Sequence, residues 1–358
     1  MIRYIVNSLF AYQLVANVLQ LRNTSTINKD HVLRIVVELL KLTGICACCL
    51  RVTCMVYSKE RIETIKRFIT YDTSDSGDST FDEQQRQNFK KHARAIVQTV
   101  FGLIITDTIL LTIPCSATRN LIGFPTQLSF VGQRASSVLH FLLVTGFPLA
   151  TFSKFTCSMA NNVVLLLGMR VKLNIVAHRY RQIFKQECLD QEQRFDHMNE
   201  ELRKALIQQT ECWRHLSILK DIVGRTFIPV HYYSLYCIGS LLYVSRDMGV
   251  NATSGVLVAS VCFLLLEYYV TCRLIDSLRD VTDSIGYTIF ELCARIPYTR
   301  KSHQKFVHMK RALIITWINT SNVSFANCFQ LFNISTSAFV GMLNITYSVF
   351  TFLINVGW

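Results

Sequence analysis

A long apolar run with recurring polar positions closes the chain. Residues 325–358 contain no charged side chain. A helix rises ~1.5 Å per residue, so the roughly 45 residues from 312 onward exceed one crossing of a ~30 Å hydrocarbon core. The pattern therefore predicts a last membrane helix that either breaks or extends outside the bilayer.

This run is not uniformly apolar, because hydroxyl and amide side chains recur along it. They are Asn333, Ser335, Thr336, Ser337, Asn344, Thr346, Ser348, Thr351 and Asn355. In hydrocarbon such groups need partners on neighbouring helices or water in a cavity. The pattern fits a helix that lines a narrow pore gated by an apolar ring, and it also fits a polar helix–helix packing face.

Six more apolar stretches precede this run. They cover residues 2–20, 31–57, 95–115, 134–183, 222–244 and 254–272. The fourth stretch would be ~75 Å long as one helix, more than twice the thickness of the bilayer core. It is either one crossing that continues as a long cytosolic helix, or two crossings broken near Lys154 with Pro148 as the kink.

The distribution of Lys and Arg decides between these alternatives. With a single fourth crossing, the inner segments 59–94, 170–220 and 273–311 hold 26 Lys and Arg residues, whereas the outer segments hold five. Cytosolic loops of membrane proteins carry such an excess of basic residues. The sequence therefore predicts an all-α polytopic membrane protein with seven transmembrane helices, a cytosolic N-terminus and an extracellular C-terminus.

Composition favours a membrane protein over a soluble enzyme. Hydrophobic residues make up 51% of the chain and charged residues 17%. The net charge of +13 follows from the basic inner segments and does not indicate nucleic acid. Most of the 13 cysteines lie within apolar runs, where Cys acts as a small hydrophobe. We predict no disulfide framework, no metal site, no cofactor and no nucleic-acid partner.

The sequence lacks the motifs of common catalytic and receptor classes. It has no Gly-rich phosphate loop and no Gly-x-Ser-x-Gly elbow, and His303 and His308 are five residues apart, which is poor spacing for a zinc site. The predicted orientation is the reverse of that of G-protein-coupled receptors, and their Asp-Arg-Tyr and Asn-Pro-x-x-Tyr motifs are missing. We predict that the chain is not an enzyme.

An ionisable residue, Asp107, falls inside the third predicted crossing between two threonines. A carboxyl group at that depth is by default a functional candidate. It could equally accept hydrogen bonds from Thr or Tyr on a neighbouring helix, or lie near the outer interface. The sequence leaves these alternatives open.

The last helix also carries a family motif. Residues 337–353, SAFVGMLNITYSVFTFL, resemble the C-terminal signature of insect odorant receptors, a Thr-Phe pair before Ser/Thr-Tyr-Ser-Tyr-Phe-Thr-Leu-Leu. The sister family of insect gustatory receptors has Thr-Tyr, five apolar residues and Gln-Phe. Here Thr346-Tyr347 are present, but Leu353 and Ile354 stand in place of Gln-Phe. The odorant branch therefore fits better.

Two earlier segments extend this resemblance. Residues 163–184, VVLLLGMRVKLNIVAHRYRQIF, are similar to the odorant-receptor pattern at the cytosolic end of the fourth helix. His215 with Ile218-Leu219 matches a His ahead of Ile-Leu in the following cytosolic segment. Residues 296–305 match an aromatic-Pro pair before a basic run, although the usual Trp is missing.

The resemblance implies a subunit of a tetrameric, odorant-gated, non-selective cation channel. Such a subunit is expected in the plasma membrane of a sensory-neuron dendrite, in contact with membrane lipid, a small volatile ligand and the shared odorant-receptor co-receptor. Its last helix would line the pore through Tyr347, Phe350, Leu353 and Ile354. The family's ligand cavity lies between the outer halves of the second to sixth helices, where depth in the membrane selects Thr108, Thr112, Leu139, Phe141, Tyr236, Ser240, Leu257 and Val258.

On this interpretation the chain divides into five parts. These are helices 1 to 4 over 1–171 with a cytosolic loop at 59–94, a cytosolic helical segment at 172–221, helices 5 and 6 over 222–272, cytosolic anchor helices at 273–311 and a pore-lining helix 7 over 312–358. The polar centre of the first cytosolic loop, TYDTSDSGDSTFDEQQ, is predicted to be disordered.

Two other function classes remain open at this point. A gustatory receptor would form a homomeric, tastant-gated cation channel without the co-receptor. A transporter would show an internal repeat with paired broken helices, which the sequence does not display. Dependence of activity on a second subunit discriminates between the odorant and gustatory interpretations.

Overall fold

The computed structural model describes residues 2–23, 31–71, 74–112, 132–183, 191–296, 298, 303–321, 327–328 and 332–356. Helices account for nearly all of these residues, and two strands of two residues each form an antiparallel pair. In chain order the elements are α1 (Ile2–Asn23), α2 (His31–Tyr57), α3 (Lys59–Tyr71), α4 (Ser79–Thr112), α5 (Gln133–Gly146), a π-helical turn (Phe147–Phe152), α6 (Ser153–Gln182), α7 (Gln191–Met248), α8 (Ala252–Arg295), α9 (His303–Ser321), β1 (Asn327–Cys328), β2 (Phe332–Asn333) and α10 (Thr336–Val356).

The length and composition of these helices are those of a multi-pass membrane protein. Among the described residues, five helices are long and apolar enough to cross a membrane, and these lie in α4, α6, α7, α8 and α10. Two more, α1 and α2, are 22 and 27 residues long, which is sufficient to span the hydrocarbon core. The prediction of an all-α polytopic protein is therefore confirmed.

The fourth predicted crossing is one continuous helical rod. Helices α5 and α6 are joined by the π-helical turn, which contains Pro148. Proline has no N–H to donate, and a π turn is a common way to accommodate such a gap in the hydrogen-bond ladder. Thr151 ties this turn to two other helices, because its hydroxyl donates to Gln13 Oε1 (2.6 Å) and its carbonyl accepts from Cys48 Sγ (3.6 Å).

Helix α7 occupies the centre of the bundle, where α2, α6, α8 and α10 all pack against it. With 58 residues it is ~87 Å long, about three times the thickness of the hydrocarbon core. Gln209 of α7 links three helices. It accepts from the Tyr180 hydroxyl of α6, and its Nε2 donates to Thr320 Oγ1 of α9 (2.7 Å).

The helices do not end at the predicted domain boundaries. Helices α7 and α8 run without interruption across the predicted junctions at 221/222 and 272/273. The predicted single helix over 312–358 is divided, since α9 ends at Ser321 and α10 begins only at Thr336. The strand pair lies between them, with Asn327 opposite Asn333. A break was one of the two outcomes that the length of this run allowed.

The loop between α3 and α4 was predicted to be disordered, and this prediction is wrong for residues 74–82. Lys172 of α6 donates to Ser74 Oγ (3.0 Å), and Arg179 of the same helix donates to the Asp75 carbonyl (2.7 Å). Polar loop atoms thus serve as partners for basic side chains that lie about 100 residues later in the chain. Residues 72 and 73 fall outside the described part.

Asp78 starts α4 as its capping residue. Its Oδ1 accepts from the Thr80 hydroxyl (2.6 Å) and from the Phe81 backbone N–H (3.2 Å). These bonds, led by that of Thr80, lower the pKa of the Asp78 carboxyl below its usual value. The Phe81 ring then stacks on His178 of α6 with 3.9 Å between the ring centroids, which fixes the first turn of α4 against α6.

A buried ion pair joins α2 to α8. Arg51 Nη2 lies 2.7 Å from Glu267 Oε1, and the two side chains are 1% and 3% exposed. The guanidinium also stacks over the Phe155 ring of α6, 4.1 Å from its centroid. Arg51 Nε and Nη1 and Glu267 Oε2 have no hydrogen-bond partner among the described residues. Each of the two buried charges is therefore stabilised chiefly by the other.

We expect Glu267→Ala and Arg51→Ala each to destabilise the protein by about 3–5 kcal/mol, because either change leaves an uncompensated buried charge. The double variant Arg51→Leu/Glu267→Leu removes both charges and should recover most of that loss. Thermal unfolding of the detergent-solubilised protein, followed by size-exclusion chromatography, measures the difference.

The exposed pair Lys305–Asp196 supplies the control for this measurement. Its Nζ–Oδ1 distance is also 2.7 Å, but both side chains are about half exposed or more. Removing Asp196 should change stability by less than about 1 kcal/mol. If Arg51→Leu/Glu267→Leu is no more stable than the single variants, an uncompensated buried charge is not the cause of their lower stability.

Candidate pore helix and ligand site

Helix α10 has one packed face and one exposed face. Met342 and Thr346 are buried, and Phe339, Phe350 and Leu353 are partly buried against the main core. These positions repeat at intervals of three and four residues, so they share one side of the helix. That side rests on α7 and α8.

The opposite side of α10 carries a stripe of small and polar residues, all exposed. We call it the polar stripe, and its members are Ser337, Gly341, Asn344, Ser348, Thr351 and Asn355. Their spacing alternates between four and three residues, which keeps them on one line along the helix. Apolar and aromatic residues flank the stripe on both edges.

Hydroxyl groups of the polar stripe donate back to their own helix. The Ser348 hydroxyl donates to the Asn344 carbonyl (3.1 Å), and the Thr351 hydroxyl donates to the Tyr347 carbonyl (2.9 Å). A hydroxyl that donates in this way keeps acceptor lone pairs for other partners. The stripe therefore presents mainly oxygen acceptors and amides to whatever lies beside it.

The four predicted pore residues do not lie together on the exposed side. Tyr347 is 71% exposed and stands at one edge of the polar stripe. Phe350, Leu353 and Ile354 pack against the core of the same chain. The hydroxyl and amide residues that recur along the last run include the polar members of the stripe. They also include Thr346, which is buried and donates to the Leu343 carbonyl. Only burial in the folded chain distinguishes Thr346 from the exposed residues of the polar stripe.

Gly239 of α7 allows α10 to approach closely. A Cβ at this position would lie 2.9 Å from the Thr346 carbonyl oxygen and 3.0 Å from the Phe350 backbone nitrogen. Both are backbone atoms of α10, so they cannot move aside as a flexible side chain can. Small residues at helix contacts in membranes serve this purpose.

We expect Gly239→Ala to shift α10 away from α7 and to cost about 1–3 kcal/mol through overpacking. Gly102→Ala in α4 is the matched control, since a Cβ there meets nothing within 4 Å. Both changes improve helix propensity, so the difference in thermal stability reports the contact. Equal stability of the two variants would contradict the close approach.

The predicted ligand residues fall on four helices. On α4, Thr108 donates to the Ile104 carbonyl (2.6 Å), and the side chain of Thr112, at the end of that helix, lies outside the described part. On α5, the Leu139 carbonyl accepts from the Tyr12 hydroxyl (3.1 Å), and Phe141 is exposed.

The remaining ligand candidates lie on α7 and α8. Ser240 is fully buried and donates to the Tyr236 carbonyl (2.9 Å). Tyr236 and Leu257 both pack against the main core, whereas Val258 is exposed. The exposed Phe141 and Val258 thus differ in environment from the other described candidates.

A small apolar cluster brings three of these helices together. Val144 of α5 and Val256 of α8 are buried against each other, and Leu110 of α4 packs on them. Thr108 and Leu257 are near neighbours of this cluster in sequence. Asp107, in the same part of α4, is 9% exposed and therefore faces the bundle rather than its surroundings.

Among the described residues, no group of three His, Cys, Asp or Glu side chains is placed to hold a metal ion. Ten cysteines in that part of the chain are free thiols, four of them on α2.

Comparison with solved structures identifies the fold. Two structures of the insect olfactory receptor OR5 from Machilis hrabei, one in complex with eugenol, match with TM-scores of 0.73 and 0.72 at 9% sequence identity. The match covers 97% of this chain and 88% of that one. The chain has an insect odorant receptor-like fold. No protein-family model and no curated protein matches the sequence, so the likeness lies in the arrangement of the helices.

The odorant receptor-like fold agrees with the fold that the resemblance in residues 163–184 and 337–353 implied. The orientation of the termini and the roles of the individual site residues stay predictions.

Proposed function

We propose that this chain is a subunit of a ligand-gated cation channel of the odorant-receptor type, with α10 lining the pore. The observation that carries this proposal is the polar stripe, which faces away from the chain's own core. In hydrocarbon the Asn344 and Asn355 amides would lack partners, at a cost of about 1–2 kcal/mol or more each, and the hydroxyl oxygens would keep unused acceptor lone pairs. Water in a shared pore supplies those partners.

An uncharged polar lining suits a non-selective pore. Carbonyl, hydroxyl and amide oxygens can replace part of a cation's hydration shell without binding it too tightly to leave. Tyr347 at the edge of the polar stripe is the predicted pore residue best placed to contact the lumen. The distance of α10 from the pore axis would be set by Phe350, Leu353 and Ile354, which pack against the core of the same chain.

An exposed apolar surface on α8 and α9 supports assembly with further subunits. Tyr287 and Phe290 of α8 and Ile315, Trp317 and Ile318 of α9 are exposed, and the Phe290 and Trp317 rings lie 5.6 Å apart. Tyr287 and Phe290 fall in the predicted cytosolic anchor at 273–311, where water would otherwise cover them, and the α9 residues continue this surface into the stretch predicted as helix 7. We propose that this surface packs against neighbouring subunits of a heterotetramer with the co-receptor.

The proposed ligand is a small volatile organic molecule held among the outer halves of the helices. One of the matching OR5 structures is a complex with eugenol. In this chain, Thr108, Tyr236, Ser240 and Leu257 offer apolar and aromatic surface with a few hydroxyls, which would select a ligand by shape. Phe141 and Val258, although exposed, would form the outer wall of such a site.

Whole-cell current under a panel of volatiles tests the function directly. We expect cation current when this chain is expressed with the odorant-receptor co-receptor, and none when either is expressed alone under the same ligand. Current from this chain alone would favour the homomeric gustatory type. Silence of the pair, with the protein shown at the cell surface, would contradict the channel function.

A cysteine scan tests the pore lining. We expect Ser348→Cys to react with a positively charged methanethiosulfonate reagent during agonist application and to lose most of its current, because the side chain faces the lumen. Val349→Cys is the matched control, since Val349 points toward Gly239 of α7. Modification of Val349→Cys but not of Ser348→Cys would place the pore on another face.

A further inference from the structure

The first turn of α10 is held by a carboxylate from α8. Asp276 Oδ2 accepts a hydrogen bond from the Thr336 backbone N–H (2.8 Å), and it also accepts from the Thr336 hydroxyl. Thr336 is the first residue of α10, where backbone N–H groups have no partner within the helix. A negative charge there also complements the helix dipole.

This contact is additional to the ordinary local cap. Ser335 directly precedes α10, and its hydroxyl oxygen accepts from the Ala338 backbone N–H (3.3 Å). A helix whose start is already capped by its own sequence does not need a second acceptor from another helix in order to form. The bond from Asp276 therefore serves chiefly to fix where α10 begins relative to α8.

Aromatic rings form a second contact between the same two helices. Tyr269 and Tyr268 of α8 lie against Phe339 of α10, with ring centroids 5.5 and 6.0 Å apart. Tyr269 is seven residues before Asp276, so the two share a face of α8. The start of α10 is thus attached to α8 at two points, one polar and one apolar.

The same segment of α8 is bonded to the other central helices. The Tyr268 hydroxyl lies 2.7 Å from His231 Nδ1 of α7, and Glu267 forms the buried pair with Arg51 of α2. The ligand candidate Leu257 lies on α8 as well, 19 residues before Asp276, or ~28 Å along a rigid helix. One element therefore passes both through the proposed ligand region and along the start of the proposed pore helix.

We propose that Asp276 is a positioning residue for gating, through which displacement of α8 moves the first turn of α10. This inference rests on the proposed channel function. A charge-assisted hydrogen bond is about twice as strong as a neutral one, and it is lost within an ångström of separation. The hydrogen bond is thus either formed or broken, and a ligand that shifts α8 changes the populations of these two states.

The positional part of the proposal is tested without any ligand. In Asp276→Ala, backbone hydrogen exchange of peptides covering residues 336–342 should rise about tenfold, the factor that corresponds to ~1.4 kcal/mol for one lost bond. Asp280→Ala is the matched control, because Asp280 lies one turn further on α8 and is exposed. Equal exchange in the two variants overturns the proposal.

The gating part is tested on the assembled channel. Asp276→Ala should shift the half-maximal agonist concentration about fivefold or more, with the surface level of the protein unchanged. Asp276→Asn, which keeps an acceptor oxygen but loses the charge, should give an intermediate shift. An agonist response in Asp276→Ala equal to that in Asp280→Ala overturns the proposal.

A double-variant cycle guards against a general loss of folding. Thr336→Val removes only the hydroxyl donor and keeps the backbone N–H, so it should fold even if Asp276→Ala does not. The effects of Asp276→Asn and Thr336→Val on agonist concentration should fall short of additivity, since both act on one contact. Full additivity overturns the proposal. Absence of current in the unaltered pair, with exchange altered as expected, would refute the channel function and leave the positional role standing.

Discussion

Every polar group that enters hydrocarbon must find a partner, and this constraint orders the bundle. Between membrane helices the hydrophobic effect gives little preference, because lipid is as apolar as a leucine side chain. The polar contacts therefore decide which helices meet and in what register. The Arg51–Glu267 pair joins α2 to α8, and the Asn162 amide donates to the Thr226 hydroxyl between α6 and α7 (2.8 Å).

Helix α10 departs from this rule. Its buried side is apolar apart from Thr346, whose hydroxyl is satisfied within the helix. Its exposed side carries the polar stripe, in which the Ser348 and Thr351 hydroxyls donate within the helix and the Asn344 and Asn355 side chains are exposed. This reversed polarity supports the proposal that α10 faces water in a pore shared with other subunits.

Sequence patterns predicted the features that depend on neighbours along the chain. The long apolar helices, the continuous helical segment over residues 133–182 and the polar positions of the last helix follow from periodicity and composition. The resemblance in residues 337–353 pointed to the fold, although overall identity to the matching structures is only 9%. Local composition was a sufficient guide in these cases.

Contacts between distant residues were beyond those patterns. The acidic loop at residues 74–82 looked disordered because the partners that order it, Lys172 and Arg179, lie far along the chain. No sequence pattern singles out Asp276, because none shows that its acceptor oxygen meets Thr336 sixty residues later. The exposed face of α10 was likewise ambiguous, because only burial in the folded chain shows which of its polar residues turn inward.

The position of Glu267 on α8 determines what kind of movement that helix can make. Sliding α8 past α2 would separate Arg51 from Glu267 and leave two uncompensated charges, a cost of several kcal/mol. Tilting about Glu267 keeps the pair intact. Leu257 lies ~15 Å from this pivot on one side and Asp276 ~14 Å on the other, so the two arms are nearly equal. A displacement of about 1 Å at the ligand end then gives a similar, opposite displacement at Asp276, enough to break a hydrogen bond.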